Sequence, residues 1–182
     1  INISEGTWGG HIIEYNDIFN TVKETGDHGT INSWGRDRFW HPNYNVMTQI
    51  TDENPVLILA DVVEPIIIRH NRLRCDRGWD IDLDDGSSNY QIYNNLCLNG
   101  GIKLREGFYR TVENNIIVNN TLHPHLWFKN SGDVFSRNIV MTKYKPIRVY
   151  GWGREVDYNI FTDSLSYLAA RQLGGEIGRA SC

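Results

Sequence analysis

The stretch QIYNNLCLNGGIKLREGFYRTVENNIIVNN, Gln91 to Asn120, states one phrase twice: Ile92 is followed three residues later by Asn95, and Val112 by Asn115. The phrase recurs outward along the chain at Ile13/Asn16, Ile68/Asn71, Phe135/Asn138 and Val156/Asn159. The last five asparagines are 24, 20, 23 and 21 residues apart, the period of a chain that goes once around and stacks on itself. The pattern predicts a solenoid.

A second apolar pair follows each of the first five asparagines, at Ile31/Ser33, Ile81/Leu83, Ile102/Leu104, Leu126/Phe128 and Ile147/Val149. Alternation of that kind places one set of side chains inward and the other outward, as a half-buried strand requires. Each repeat is therefore expected to carry at least two short strands that pair in parallel with their counterparts. Equivalent asparagines then stack as a ladder of amides, which satisfies polar groups that a corner would otherwise bury.

The rhythm breaks once, between Asn16 and Asn71, which are 55 residues apart. A long excursion from a regular repeat commonly leaves on the binding face. It is expected to begin at GDHGTINSWGRDRFWHP, Gly26 to Pro42, and to return through PVLILADVVEPIIIRHN, Pro55 to Asn71, as two apolar strand-like runs.

Hydrophobic residues make up 40% of the chain and no apolar run approaches the ~18 residues of a membrane helix. A net charge of -4 with no basic block leaves no electrostatic footprint for nucleic acid. Aromatics reach 12%, with six tryptophans, several at outward positions suited to stacking on sugar rings. Cys75 and Cys97 stand at different offsets from their asparagines, so buried thiols are expected rather than a disulfide. The chain opens at Ile1 in what reads as the middle of a repeat, so residues 1–175 are expected to be one domain cut from a longer chain, any export signal lost with the missing part. Asp163 to Gly175 reads as a short C-terminal helix, and Glu176 to Cys182 as a non-native tail.

The strongest chemical signal is GWDIDLDDGSSN, Gly78 to Asn89. With Ile81 and Leu83 inward, Asp80, Asp82 and Asp84 point outward on one strand, ~6.5–7 Å from one to the next. Three carboxylates in a row repel, and three arrangements would offset that. A cation such as calcium is one, although Gly86 comes one place late for an EF-hand loop and no glutamate closes it, so no metal site is assigned. A cross-repeat ion-pair ladder is the second, because Lys103 and Arg105 align with Asp82 and Asp84. The third is a split of carboxyl pKa values that keeps one group as acid and another as base. Two carboxyls ~6.5–9.5 Å apart leave room for an attacking water, so this spacing suits an inverting glycoside hydrolase better than a retaining one.

The same outward column continues through Lys103 and Arg105, then His125, Trp127 and Lys129, then Arg148 and Tyr150. Its first-repeat counterparts are Asn32 and Trp34, beside Arg36, Asp37 and Arg38. One strip thus combines acids, cations and indoles, the mixture that hydrogen-bonds hydroxyls or carboxylates while stacking on a sugar face. His28, in a Gly-Asp-His-Gly turn at the root of the excursion, is a general-base candidate. His123 and His125 flank Pro124, where a histidine more often fills a corner than takes part in catalysis.

These residues together, GDHGTINSWGRDRFWHPN, GWDIDLDDGSSNYQIYNNLCLNGGIKLREG and HPHLWFKNSGDVFSRNIV, resemble bacterial right-handed parallel β-helix proteins of the pectate-lyase-like superfamily. The resemblance covers about residues 5–175 and implies an all-β, right-handed parallel β-helix with carbohydrate-active chemistry on one outer face, in a secreted or cell-envelope protein. Asp80, Asp82, Asp84 and Asp85 match the acidic cluster of polygalacturonase-type members. The basic pair reads Lys103-Leu104-Arg105, the reverse of the Arg-x-Lys order, and in place of Gly-His-Gly stands Asp27-His28-Gly29.

The expected partner is a poly- or oligosaccharide, and three activities fit. In a glycoside hydrolase, Asp82 and Asp84 act as acid and base, with Asp80 or Asp85 as substitutes. Arg38, Lys103 and Arg105 then hold substrate, joined by Arg36 and Lys129; His28 and His125 position water or substrate, and Trp34 and Trp127 form sugar platforms. In a lyase of acidic polysaccharides, Lys103 or Arg105 abstracts the proton and the aspartates hold calcium. In a non-catalytic binding or adhesive protein, the strip is an ion-pair ladder and no product forms.

Overall fold

The computed structural model describes residues 1–4, 8–125, 128–142 and 153–162. Within them the chain visits three parallel sheets in rotation. Sheet A comprises β1 (Asn2–Ile3), β4 (Gly29–Trp34), β7 (Trp79–Asp84), β10 (Ile102–Leu104) and β13 (Leu122–Pro124). Sheet B comprises β2 (Ile12–Glu14), β5 (Ile66–Arg69), β8 (Tyr90–Tyr93), β11 (Thr111–Glu113), β14 (Val134–Ser136) and β16 (Glu155–Asp157). Sheet C comprises β3 (Asp17–Ile18), β6 (Arg72–Leu73), β9 (Leu96–Cys97), β12 (Ile116–Ile117), β15 (Ile139–Val140) and β17 (Ile160–Phe161). This mostly β arrangement, with one α-helix, fits a parallel β-helix.

Inward residues of all three sheets meet in one core: Ile31, Ile81, Ile102 and Leu122 from sheet A, Ile68, Ile92 and Val112 from sheet B, Leu73, Cys97 and Ile117 from sheet C. Cys75 and Cys97 are free, buried thiols, as their offsets predict. Between sheets B and C runs the asparagine ladder. Asn71, Asn95, Asn115 and Asn138 each donate a side-chain N–H to the Oδ1 of the next asparagine at 3.0 Å, and Asn16 donates to Asn71 at 2.9 Å. The same Oδ1 atoms accept the backbone N–H of the preceding ladder residue, at 2.9–3.1 Å. The residue before each ladder asparagine is left-handed: Tyr15, His70, Asn94, Asn114, Arg137 and Tyr158 have φ of 55–57°. That conformation turns the chain sharply enough for the asparagine to face inward, at a cost of ~1–2 kcal/mol for a non-glycine residue, which the stacked amides offset.

Sheet A departs from the expected register in its last strand. Leu122 and Pro124 take the places opposite Ile102 and Leu104 that the expected pair was to fill. Leu122 stands as far beyond Asn115 as Ile102 stands beyond Asn95, seven residues in each case, so the two repeats reach sheet A after connections of equal length. Phe128 instead joins a second core with Phe39, Met47, Ile58 and Phe108, stacked on Phe108 at 4.8 Å and on Tyr44 at 5.0 Å.

That second core belongs to the excursion, which leaves only after Trp34, since Gly29–Trp34 is a regular sheet A strand. The excursion carries α1 (Tyr44–Glu53), capped by Asn43, whose Oδ1 accepts the N–H groups of Asn45 and Val46. The first of the two expected strand-like runs is corrected: Pro55–Leu59 is a 3-10 helix, because Pro55 at its start lacks the N–H a ladder needs and presets a helical φ. The second run becomes β5 as expected. The predicted helix from Asp163, the tail from Glu176, and Leu126, Trp127, Ile147, Arg148, Val149 and Tyr150 lie outside the described residues. Among the described residues, no helix is long and apolar enough to cross a membrane.

Candidate functional site

The outer face of sheet A gathers the charged strip. Register pairs Asn32 with Asp82 and Trp34 with Asp84 across β4 and β7, and Asp82 with Lys103 across β7 and β10. The column then continues to His123 rather than to Trp127, a consequence of the shifted register. His125 lies one strand position further and stacks on His123, centroids 5.5 Å apart. Asn32, Asp82, Lys103 and His123 are all under 8% exposed, so this column faces away from the core yet lies beneath other chain.

Lys103 Nζ lies 3.0 Å from Asp82 Oδ1, 3.3 Å from Asp84 Oδ2 and 3.8 Å from Asp27 Oδ1. Arg105 Nη1 contacts Asp84 at 2.9 Å and Asp85 at 3.1 Å, and its Nε is 2.9 Å from Glu106. Arg36 Nε donates to Asp85 at 2.8 Å while its guanidinium sits over the Trp40 ring. Trp40 Nε1 donates to Glu106 at 3.2 Å.

These partners ionise the acids unequally. Burial pushes the Asp82 carboxyl up to about 6, against the pull of Lys103. Burial would also raise Asp84, but Lys103 and Arg105 outweigh it and hold that carboxyl below its ordinary value. Glu106 is raised by burial, with Arg105 opposing. Burial lowers Lys103, yet Asp82 and Asp84 outweigh it and keep the ammonium protonated above its ordinary range.

Asp27, His28, Asn32, Trp34, Arg36, Asp84 and Asp85 line a cleft of about 320 Å³ over this network. Six of the residues singled out from the sequence therefore share one cavity: His28, Asn32, Trp34, Arg36, Asp84 and Asp85. His28 Nδ1 lies 3.0 Å from Thr25 Oγ1 and so belongs to the rim. Asp82, Lys103 and Arg105 form the supporting layer.

Asp80 has a different task. Its carboxylate is fully buried and accepts N–H groups from Cys75, Asn99, Gly100 and Gly101 at 2.6–3.2 Å, fastening the corner before β7 to the one before β10. Burial pushes it up to about 6 against those four donors. Arg38 turns away to bind Asp61, its Nε 2.8 Å from Oδ1. Lys129 is exposed in a turn and is not among the residues lining the cleft.

Two acids of the site, Asp27 and Glu106, are additions. Strand alternation assigns Glu106 to the inner side, but β10 ends at Leu104 and the bend slides it under Trp40. Asp27 is 87% exposed, and nothing in the sequence shows that it meets Lys103. Among the described residues no three His, Cys, Asp or Glu side chains converge in a way that would hold a metal ion.

Compared with protein-family models, with curated proteins and with solved structures, the chain matches none. The structure defines a class of architecture: three parallel sheets, one of which carries on its outer face an acid-rich cleft walled by Trp34.

Proposed function

We propose that the three sheets close as a right-handed parallel β-helix, and that the cleft over β4 and β7 binds an oligo- or polysaccharide and hydrolyses a glycosidic bond in it. The observation that carries this reading is that Asp84 and Asp85 open into one cleft and share Arg105 Nη1, at 2.9 and 3.1 Å, beside the Trp34 ring. Two oxygens on one nitrogen at those lengths are at most about 6 Å apart, short of the ~6.5 Å that an intervening water requires and near the ~5–5.5 Å of retaining enzymes. Lys103 likewise fills the interval between Asp82 and Asp84. The spacing therefore favours double displacement over the inverting course. Asp84, held ionised, is the nucleophile and Asp85 the acid and base. Asp82 and Lys103 are positioning residues beneath them. The lyase alternative is weaker, because an ammonium held protonated by two carboxyls is a poor proton-abstracting base.

A second reading has its own support: the cleft carboxylates are all in contact with cations, as a ladder in a binding or adhesive protein would be. Screening on a polysaccharide panel for new reducing ends and for ultraviolet-absorbing products separates the two readings and the lyase. A hydrolase gives reducing ends alone, and Asp84→Asn and Asp85→Asn lower that rate by roughly 10²-fold or more while binding survives. Rates unchanged in both variants remove the assignment; binding without any product selects the second reading.

A further inference from the structure

The described residues around the cleft supply three cations and five carboxyl groups. Lys103 is held by Asp82, Asp84 and Asp27, Arg105 by Asp84, Asp85 and Glu106, and Arg36 by Asp85. With all five acids ionised, negative charge exceeds positive. If two of the five hold protons, Asp85 as the proposed acid and Asp82 as the most buried, the charges balance. In neither state do the described residues make the cleft positive, and the chain as a whole carries -4.

A uronate or a sulfate ester needs the opposite. An anion leaving water is retained by free guanidinium or ammonium donors, best in a bidentate fork, and by a positive field that gathers it. Arg105 spends Nε and Nη1 on three acids, Lys103 is 7% exposed in its side chain, and Arg36, the most open of the three, has Asp85 at 2.8 Å. An additional carboxylate would meet Asp27, Asp84 and Asp85 across the same cavity. Hydroxyl groups face no such penalty, since carboxylate oxygens accept their protons and the Trp34 ring offers an apolar face.

We propose that the cleft is built for an uncharged, hydroxyl-rich glycan and discriminates against uronate and sulfated chains. This rests on the carbohydrate reading above and names the substrate class for it.

The test is calorimetric titration of the intact chain with neutral hexasaccharides (cellohexaose, xylohexaose, mannohexaose) and with oligogalacturonate and oligomannuronate, at low and moderate salt. Neutral chains are expected to bind with little salt dependence. Uronates are expected to bind at least about tenfold more weakly and to improve as salt screens the repulsion. Asp27→Lys, at the exposed rim, should raise the ratio of uronate to neutral affinity by about tenfold. Uronate binding that equals or exceeds neutral binding and weakens with salt overturns the inference while the carbohydrate reading stands. So does preference for a cationic aminoglycan, or a ratio that Asp27→Lys leaves unmoved. Absence of binding to every glycan removes the carbohydrate reading and this inference with it.

Discussion

Lys103 stands directly across the β7–β10 pairing from Asp82, and its ammonium lies 3.0 Å from the Asp82 carboxyl where both residues are nearly shut off from solvent. Parallel pairing makes this contact. Residues 21 apart in the chain become neighbours on one face, and the charge that each would find costly to bury alone is offset by the other.

Removing the cation should therefore cost far more than a surface ion pair does. Lys103→Met leaves Asp82 without its principal counter-charge and is expected to lose about 3–5 kcal/mol at neutral pH. The loss should shrink near pH 4, where the stranded carboxyl takes up a proton. Urea denaturation at both pH values checks this; an equal loss at both would show that packing, not charge, was removed.

Asp82 also sets a pH dependence of known sign. Its folded carboxyl titrates near 6, above the 3.8 of an unperturbed aspartate, so the folded state keeps a proton that the unfolded chain has already released. The stability it contributes is complete below about 4 and is lost as pH rises through about 6. Asp84, held low, acts oppositely and loses its contribution as pH falls below its ordinary range. The stability difference between the parent chain and Asp82→Asn should accordingly shift by about 2–3 kcal/mol against the parent between pH 4 and pH 7. Denaturation curves at intervals across that window would reveal a flat difference if the assignment is wrong.

Arg110 and Asp133 make a pair with no solvent exposure, at 2.7 Å and 3.0 Å, and Arg110 also donates to the Arg105 carbonyl beneath the cleft. Arg110→Met is expected to cost about 3–5 kcal/mol, whereas Arg110→Met combined with Asp133→Leu should recover much of it, because the stranded charge is gone. A double-mutant cycle by urea unfolding gives the coupling directly; additive losses would contradict it.

The ladder predicts a gradient along the chain. Asn115→Ala strips an acceptor from Asn95 and leaves the carbonyls of Ile92 and Glu113 without their side-chain donor, an expected loss of about 2–4 kcal/mol. Asn16→Ala, at the first rung, removes its side-chain donations to the Glu14 carbonyl and to Asn71 Oδ1 and keeps the backbone one, and should cost less than half as much. Thermal melts of the two variants side by side would show the order.

The ladder and the inward pairs Ile31/Ser33, Ile81/Leu83 and Ile102/Leu104 were legible because stacked passes demand the same residue type at the same place, leaving a period in the text. The alignment of Lys103 with Asp82 was legible for the same reason. Leu126/Phe128 misled because alternation alone cannot say which apolar pair a strand uses; Phe128 was claimed by the helix-bearing excursion. The first strand-like run of that excursion failed for a related reason, since Pro55 outweighed the β-prone residues after it.

Depth, finally, was invisible along the chain. Asp80, Asp82 and Asp84 follow one another at identical spacing, yet the first fastens a corner, the second lies under Lys103, and the third opens into the cleft. Sequence alone determined the repeat, the parallel pairing and the company of acids with cations, because these depend on periodicity that a linear code records. Only the tertiary structure decided which carboxyls reach solvent and how their protons are held, because burial and charge compensation come from segments such as Asp27 and Glu106 that approach through space, not through spacing.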